Sequence, residues 1–198
     1  MLSVLRAAPR LPGSVGSVAA LVAVLAGCGY SRTPVPTAGS PALPTGYVGE
    51  GFPRVGIDAL VPRNWTESVT KLPLAATISS GSAVIALWRY SRPAPPPSDP
   101  AALATARRAL ISAARARDPG LILIRTRLTR IARSPAVVLD AFERINGRPR
   151  RVRSLHIYVP GAELVIDEYV PAAEFHYVDH YVFSPLNRSI KLRRGRPT

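Results

Sequence analysis

The sequence is short of cysteine, lysine and, at its start, acid. One Cys stands among 198 residues, so no internal disulfide is available and the small disulfide-stapled scaffolds are excluded. Lysine occurs only at Lys71 and Lys191, and no acidic residue precedes Glu50. The apolar run Val18–Ala26 falls short of the roughly 20 residues that a transmembrane helix needs. No internal repeat is present, which removes solenoid and collagenous architectures. What the chain has instead is apolar mass and arginine. A hydrophobic share of 47% is enough to build a core and argues against wholesale disorder. The 26 Lys+Arg against 12 Asp+Glu give a formal charge of +14. A balance of that sign favours polyanionic partners: nucleic acid, anionic lipid head groups or acidic wall polymers.

Location chooses among them. Arg6 and Arg10 precede the run Val18–Ala26, which has the length of a signal-peptide core. It ends in Leu25-Ala26-Gly27-Cys28, which resembles the lipobox of bacterial lipoprotein precursors. The spacing, the small residues before Cys28 and the uniqueness of that Cys carry the resemblance. It implies cleavage after Gly27, a diacylglyceryl group on the thiol of Cys28, and anchoring to the lipid bilayer through that residue. Each buried acyl methylene contributes about 0.8 kcal/mol, so two or more chains hold a protein at a membrane without a span. The expected location is extracytoplasmic, at the cell membrane, and cytoplasmic nucleic acid drops out as a partner.

Residues 1–27 therefore read as a signal peptide and residues 28–48 as a tether. Pro34, Pro36, Pro41 and Pro44 among Ser, Thr, Gly and Ala predict an extended, structureless stretch. One domain is expected over 49–192, with a basic tail at 193–198. Alternation over Val55–Val61 predicts a first strand, followed by Asn64-Trp65. Leu72–Ile78 reads as a weak strand interrupted by Pro73, and Ser82–Tyr90 as a buried one. Prolines 93, 95, 96 and 97 make the next stretch a loop. Asp99-Pro100 is an N-cap followed by proline at the first helical position. Leu103, Ala106, Leu110 and Ala114 form the apolar stripe of that helix, and Asp118-Pro119-Gly120 stops it. Strands follow over Leu121–Ile131, Ala136–Ile145, Arg148–Val159 and Glu163–Val170. Asn146-Gly147 marks a type I′ hairpin turn. Pro171–Leu192 fits either a strand, by alternation from Phe175 to Phe183, or a helix through Phe175, Val178, Val182 and Leu186. Pro171 at its start favours the helix, broken or kinked near Pro185.

Two segments carry a resemblance to the PsbP-like family, named for the extrinsic photosystem II protein. Val61-Pro62-Arg63-Asn64-Trp65 looks like the family's Pro-x-Gly-Trp after the first strand, with Asn64 in place of Gly. Val170–Phe175 through Phe183, then Arg188–Leu192, looks like its closing helix. The resemblance implies an α+β fold, an α/β/α sandwich with a central antiparallel sheet. It also implies a non-enzymatic module that docks onto a partner, here an envelope protein or a small ligand, without a cofactor.

The chemistry-bearing residues are few. His176 and His180, four apart, share a face of a helix, and with His156 they form a candidate metal set. The zinc-protease motif is absent because residue 177 is Tyr. No Gly-x-Ser-x-Gly elbow exists, and the adjacent acids Asp167 and Glu168 point to opposite faces of a strand. Arg148, Arg150, Arg151 and Arg153 surround the hairpin tip and form a candidate contact for an anionic surface; a second cluster comprises Arg125, Arg127, Arg130 and Arg133. Trp65 and Trp88 read as core. The expected function is a membrane-anchored extracytoplasmic binding or docking module. The alternative is a small metal-dependent or hydrolytic cell-envelope enzyme using His176 and His180.

Overall fold

Alternating and β-branched segments dominate the chain, and they form two antiparallel sheets. The computed structural model describes residues 33–193; the leader, Cys28 and residues 194–198 lie outside the described residues. A three-stranded sheet takes β1 (Tyr47–Phe52), β2 (Ile57–Pro62) and β10 (Lys191–Leu192) in the order β1-β2-β10. A seven-stranded sheet takes β3 (Thr66–Val69), β4 (Leu74–Ser80), β5 (Ala83–Ser91), β6 (Ile122–Ile131), β7 (Ser134–Ile145), β8 (Arg148–Val159) and β9 (Ala162–Val170). Its order is β3-β4-β5-β9-β8-β7-β6.

The Asn146-Gly147 turn between β7 and β8 has φ of 50° and 74°, the positive pair that a type I′ turn demands. Helix α1 (Pro100–Arg117) starts at Asp99, whose side chain accepts from the Ala102 N–H at 2.8 Å. Its Leu103, Ala106, Leu110 and Ile111 lie on Val137, Leu139 and Tyr158, on one face of the large sheet. The opposite face carries Ile85, Leu87, Leu155, Ile157, Leu164 and Ile166 into the main core. There the small sheet supplies Phe52, Val55 and Ile57, and the C-terminal helices supply Val178, Val182, Phe183 and Leu186. The fold is α+β, with helices on both faces of a central antiparallel sheet.

The C-terminal segment is helical, and its break has a local cause. Helix α2 (Ala172–Val178) runs into a π-helical turn over Asp179–Phe183, and α3 (Ser184–Ser189) follows. Pro185 has no N–H to give to the carbonyl of Tyr181, and its ring would collide with that carbonyl in a regular α-helix. The backbone widens instead: the Ser184 N–H reaches back five residues to the Asp179 carbonyl. The freed Tyr181 carbonyl accepts from the Tyr47 hydroxyl.

The stretch expected to be a free tether differs most. Residues 33–46 have no helix or strand, as their prolines require, but they are strapped onto the domain. The Tyr169 hydroxyl donates to the Pro34 carbonyl, and the Thr37 hydroxyl to the Gly81 carbonyl at 3.0 Å. The Ser82 N–H donates to the Gly39 carbonyl at 2.8 Å, and Trp65 Nε1 to the Ala42 carbonyl at 3.0 Å. Gly81 is needed for this. A Cβ there would meet the carbonyl oxygens of Gly39 and Ser40 at 2.6 Å, and its φ is +50°. Structure then begins at Tyr47 rather than 49, because β1 alternates Val48, Glu50 and Phe52 among glycines that carry no apolar signal. The first predicted strand is displaced too: Val55 lies in the β1–β2 turn, fully buried, and β2 starts at Ile57. The short β3 and β10 gave no periodic pattern to read.

Candidate functional site

Strand β8 is the chemical centre of the described residues, and its alternation divides its arginines. Arg148 and Arg150 share a face with Ile145 and Glu143 of β7; Arg151 and Arg153 project to the other side with Phe142 and Asp140. The four therefore do not form one surface patch. Arg148 is exposed and Arg151 half-buried, while Arg150 and Arg153 keep only 6% and 7% of their surface. The four arginines expected to make one contact for an anionic surface are thus divided between the two faces, and two of them are buried. The strand is central, flanked by β7 and β9, and beyond its exposed start at Arg148 its two faces are covered by other layers of the fold.

Arg153 is fully partnered. Its Nη1 and Nη2 donate to the two carboxylate oxygens of Asp179 at 2.6 and 3.1 Å. Its Nε donates to Asp140 Oδ1 at 3.2 Å, and Arg125 Nε reaches Asp140 Oδ2 at 2.7 Å. Glu168 stands 3.7 Å from Arg153 Nη1, completely buried, with the Asn187 side chain beside it but neither carboxyl oxygen in a well-aligned hydrogen bond among the described residues. Burial pushes its pKa up to about 8, and the nearby Arg153 charge offsets only part of that. Burial therefore favours the neutral form of the Glu168 carboxyl. For Asp179, burial works against the charge, but the hydrogen bonds from Arg153 outweigh it and hold the carboxyl below its usual range.

This network floors a cavity of about 240 Å³ whose walls include Arg125, Arg151, Phe142, Phe175, His176 and Asp179. The Arg151 guanidinium lies over the rings of Phe142 and Phe175 at 5.4 and 4.9 Å from their centroids. A second cavity, of about 490 Å³, opens between the strap and the start of α2; Arg148, Arg150, Ser82 and Glu174 are among its lining residues.

The histidines separate. His156 faces α1, on the same side as Val137 and Val165. His176 and His180 belong to the C-terminal helices, which pack on the opposite face. His180 packs edge-on against Tyr181, and His176 lines the smaller cavity. The sheet thus stands between His156 and the pair expected to join it. Among the described residues, no group of three or more His, Cys, Asp or Glu is placed to hold a metal ion.

One constellation was not foreseen. Ser154 Oγ lies 3.2 Å from His156 Nε2, and His156 Nδ1 lies 2.7 Å from Glu163 Oε1. A serine, a histidine and an acid in line have the outline of a hydrolytic triad. Two features oppose that chemistry. The Ser154 hydroxyl donates to Asp167 Oδ1, not to the imidazole, and the residue sits mid-strand between two paired neighbours. Its backbone N–H is committed to the ladder, so Ser154 does not offer it as an oxyanion donor. Cross-strand pairing of Ser154 with Asp167 is the signal that would have found the cluster, and it requires knowing the register.

The comparisons bear on the fold. No protein-family model matches this chain, and no curated protein matches it. Among solved structures, cyanobacterial PsbP (CyanoP) from Synechocystis aligns over 81% of this chain and 99% of its own, with a TM-score of 0.56 and 11% identity. The fold is PsbP-like. The Saccharomyces cerevisiae Ran-binding protein Mog1p aligns over 76% of this chain and 96% of its own, at a TM-score of 0.51 and 9% identity. LpqN, involved in cell envelope biogenesis of Mycobacterium tuberculosis, aligns over 69% and 83%, at a TM-score of 0.50 and 18% identity. The PsbP-like architecture expected from the sequence is the observed one. Among the described residues no helix is long and apolar enough to cross a membrane.

Proposed function

We propose that this chain is a lipid-anchored, extracytoplasmic binding module, acylated at Cys28 and docking onto an envelope protein or a small ligand. The observation that carries the reading is the PsbP-like fold over four-fifths of the chain. Two proteins of that shape are a Ran-binding protein and a participant in cell envelope biogenesis. The segment Leu25-Ala26-Gly27-Cys28 behind an apolar run and a basic start supports the anchor. The positive charge favours approach to an anionic membrane. The polar clusters favour binding over catalysis, since the arginine–carboxylate network is paired and the Ser154 hydroxyl is turned to Asp167 rather than to His156.

Metabolic labelling of a bacterial host with an alkyne fatty acid tests the anchor. The wild-type protein takes up label and sediments with membranes, whereas Cys28→Ser loses the label and moves to the soluble fraction. An unlabelled wild-type protein overturns lipid anchoring. Cross-linking on intact cells tests docking: a defined envelope partner is expected, and a lipidated protein that remains uncross-linked overturns it.

A further inference from the structure

Arg150 is buried without a counter-ion. It has 6% of its surface exposed, and among the described residues neither an ion pair nor a hydrogen bond reaches it. Its Nε–H is fully enclosed and unpartnered. An arginine this deeply buried, with an enclosed and unpartnered Nε–H, is costly for a fold to hold unless an anion meets its outer nitrogens. Arg153, three residues along and equally buried, meets Asp140 and Asp179 instead. The acids across the ladder from Arg150 and in its cavity are already engaged. Glu143, directly across on β7, binds Arg117 at 3.0 Å. Glu174 shares the cavity with Arg150, but its two oxygens accept from the Ser40 and Ser82 hydroxyls at 2.9 and 2.5 Å.

The cavity in front of Arg150 is about 490 Å³, closed on one side by strap residues 37–40, and the exposed Arg148 lines it as well. Two guanidiniums against one carboxylate leave it with a positive excess. The planar guanidinium fork matches phosphate oxygens in pairs. That volume far exceeds the roughly 30 Å³ of a water molecule, so it admits a carrier along with the anion. The carboxylate and hydroxyls of Glu174, Ser40 and Ser82 offer that carrier hydrogen-bond partners.

We propose that this cavity binds a phosphate ester on a small hydroxyl-bearing carrier, with Arg150 as the inner anion ligand and Arg148 at the mouth. The cavity proposal does not rest on acylation of Cys28, so either reading can fail without the other. The chemistry is shared by a free glycerophosphate and by a phosphatidylglycerol head group.

The test uses the full-length protein, titrated with glycerol 1-phosphate by calorimetry and by NMR of the arginine Nε–H signals. A parallel arm measures sedimentation with phosphatidylglycerol vesicles against phosphatidylcholine vesicles. Binding is expected to shift the Arg150 Nε–H signal. Arg150→Gln should weaken it by about 30-fold or more, the loss of a charge-assisted pair, and Arg148→Gln by roughly 3-fold, as for an exposed charge. Arg115→Gln, on the exposed side of α1, should change nothing. Should Arg150→Gln fold poorly, Ala38→Trp blocks the mouth from the exposed strap and must abolish binding on its own. Arg150-dependent binding of glycerol 1-phosphate assigns a soluble ester. Arg150-dependent binding to phosphatidylglycerol vesicles alone assigns a lipid head group. The proposal is overturned if neither probe binds, or if Arg115→Gln weakens binding as much as Arg150→Gln.

Discussion

At the scale of single residues, the decisive groups are those whose environment contradicts their usual preference. Glu168 is an acid with neither oxygen in a well-aligned hydrogen bond among the described residues and a pKa near 8, against 4.5 when unperturbed. The folded state therefore binds its proton more tightly than the unfolded chain does. The stability linked to this proton is complete below about pH 4.5 and is lost as pH rises through about 8. Asp179 acts in the opposite sense, its contribution disappearing only in acid, below 3.8. Urea unfolding across pH 5 to 9 should show the wild-type midpoint falling, and Glu168→Gln should flatten that slope; an unchanged slope would count against the neutral carboxyl. Gly81 is the second such residue. Gly81→Ala puts a Cβ against the strap backbone at positive φ, and roughly 2 kcal/mol of destabilisation is expected in thermal unfolding. Cleavage by a nonspecific protease should rise within residues 33–46 at the same time. Neither position was legible in the sequence. Glu168 beside Asp167 reads as one more exposed acid until the register turns it inward, and Gly81 reads as an ordinary turn glycine until the strap is seen lying on it.

At the scale of elements, local chemistry carried far. Asp99-Pro100 placed the start of α1 correctly, Asn146-Gly147 set the hairpin, and β5 to β9 fell close to the expected bounds because their alternation and turn signals agree. Asp99→Ala should cost about 1 kcal/mol, the worth of an N-cap, by equilibrium unfolding. Where two periods competed, in Pro171–Leu192, the proline settled the outcome and also shaped it. Pro185 creates the π-helical turn and leaves the Tyr181 carbonyl to Tyr47. Tyr47→Phe should then destabilise by about 0.5–1 kcal/mol, a modest figure because the site is half open to water. In Tyr47→Phe/Pro185→Ala the restored N–H can serve the carbonyl, so the two changes should couple in a double-mutant cycle. Strictly additive energies would show that Pro185 does not cause the turn. The elements that escaped notice, β1, β3 and β10, are short or glycine-rich and owe their existence to pairing with distant strands.

At the scale of the whole molecule, the sheet organises what the composition only hinted at. Part of the charge that marks the sequence is structural: Arg153 and Arg125 meet the buried Asp140, and Arg117 holds Glu143. The three histidines, close enough in the chain to suggest a metal site, end on two faces of one sheet. Only a topology separates them. The N-terminal boundary moved for the same kind of reason: prolines announce that residues 33–46 lack regular structure, but not that the Tyr169 side chain of β9 and the backbone of the β4–β5 turn will hold them. A chain shortened to begin at Tyr47 should lose at least about 2 kcal/mol relative to one beginning at Ser31, since several hydrogen bonds disappear with the strap. Chemical denaturation of the two chains would measure it, and equal stabilities would show that the strap adds nothing.

The strap has a mechanical side. A pull applied at Pro34 reaches the sheet through residues 34–46, whose contacts at Pro34, Thr37, Gly39 and Ala42 come one after another along the chain. Such an arrangement peels link by link at low force, whereas paired strands sheared lengthwise resist together. Tension there would release Pro34 from Tyr169 first and then lift residues 37–40 from the wall of the larger cavity. The domain behind would stay folded.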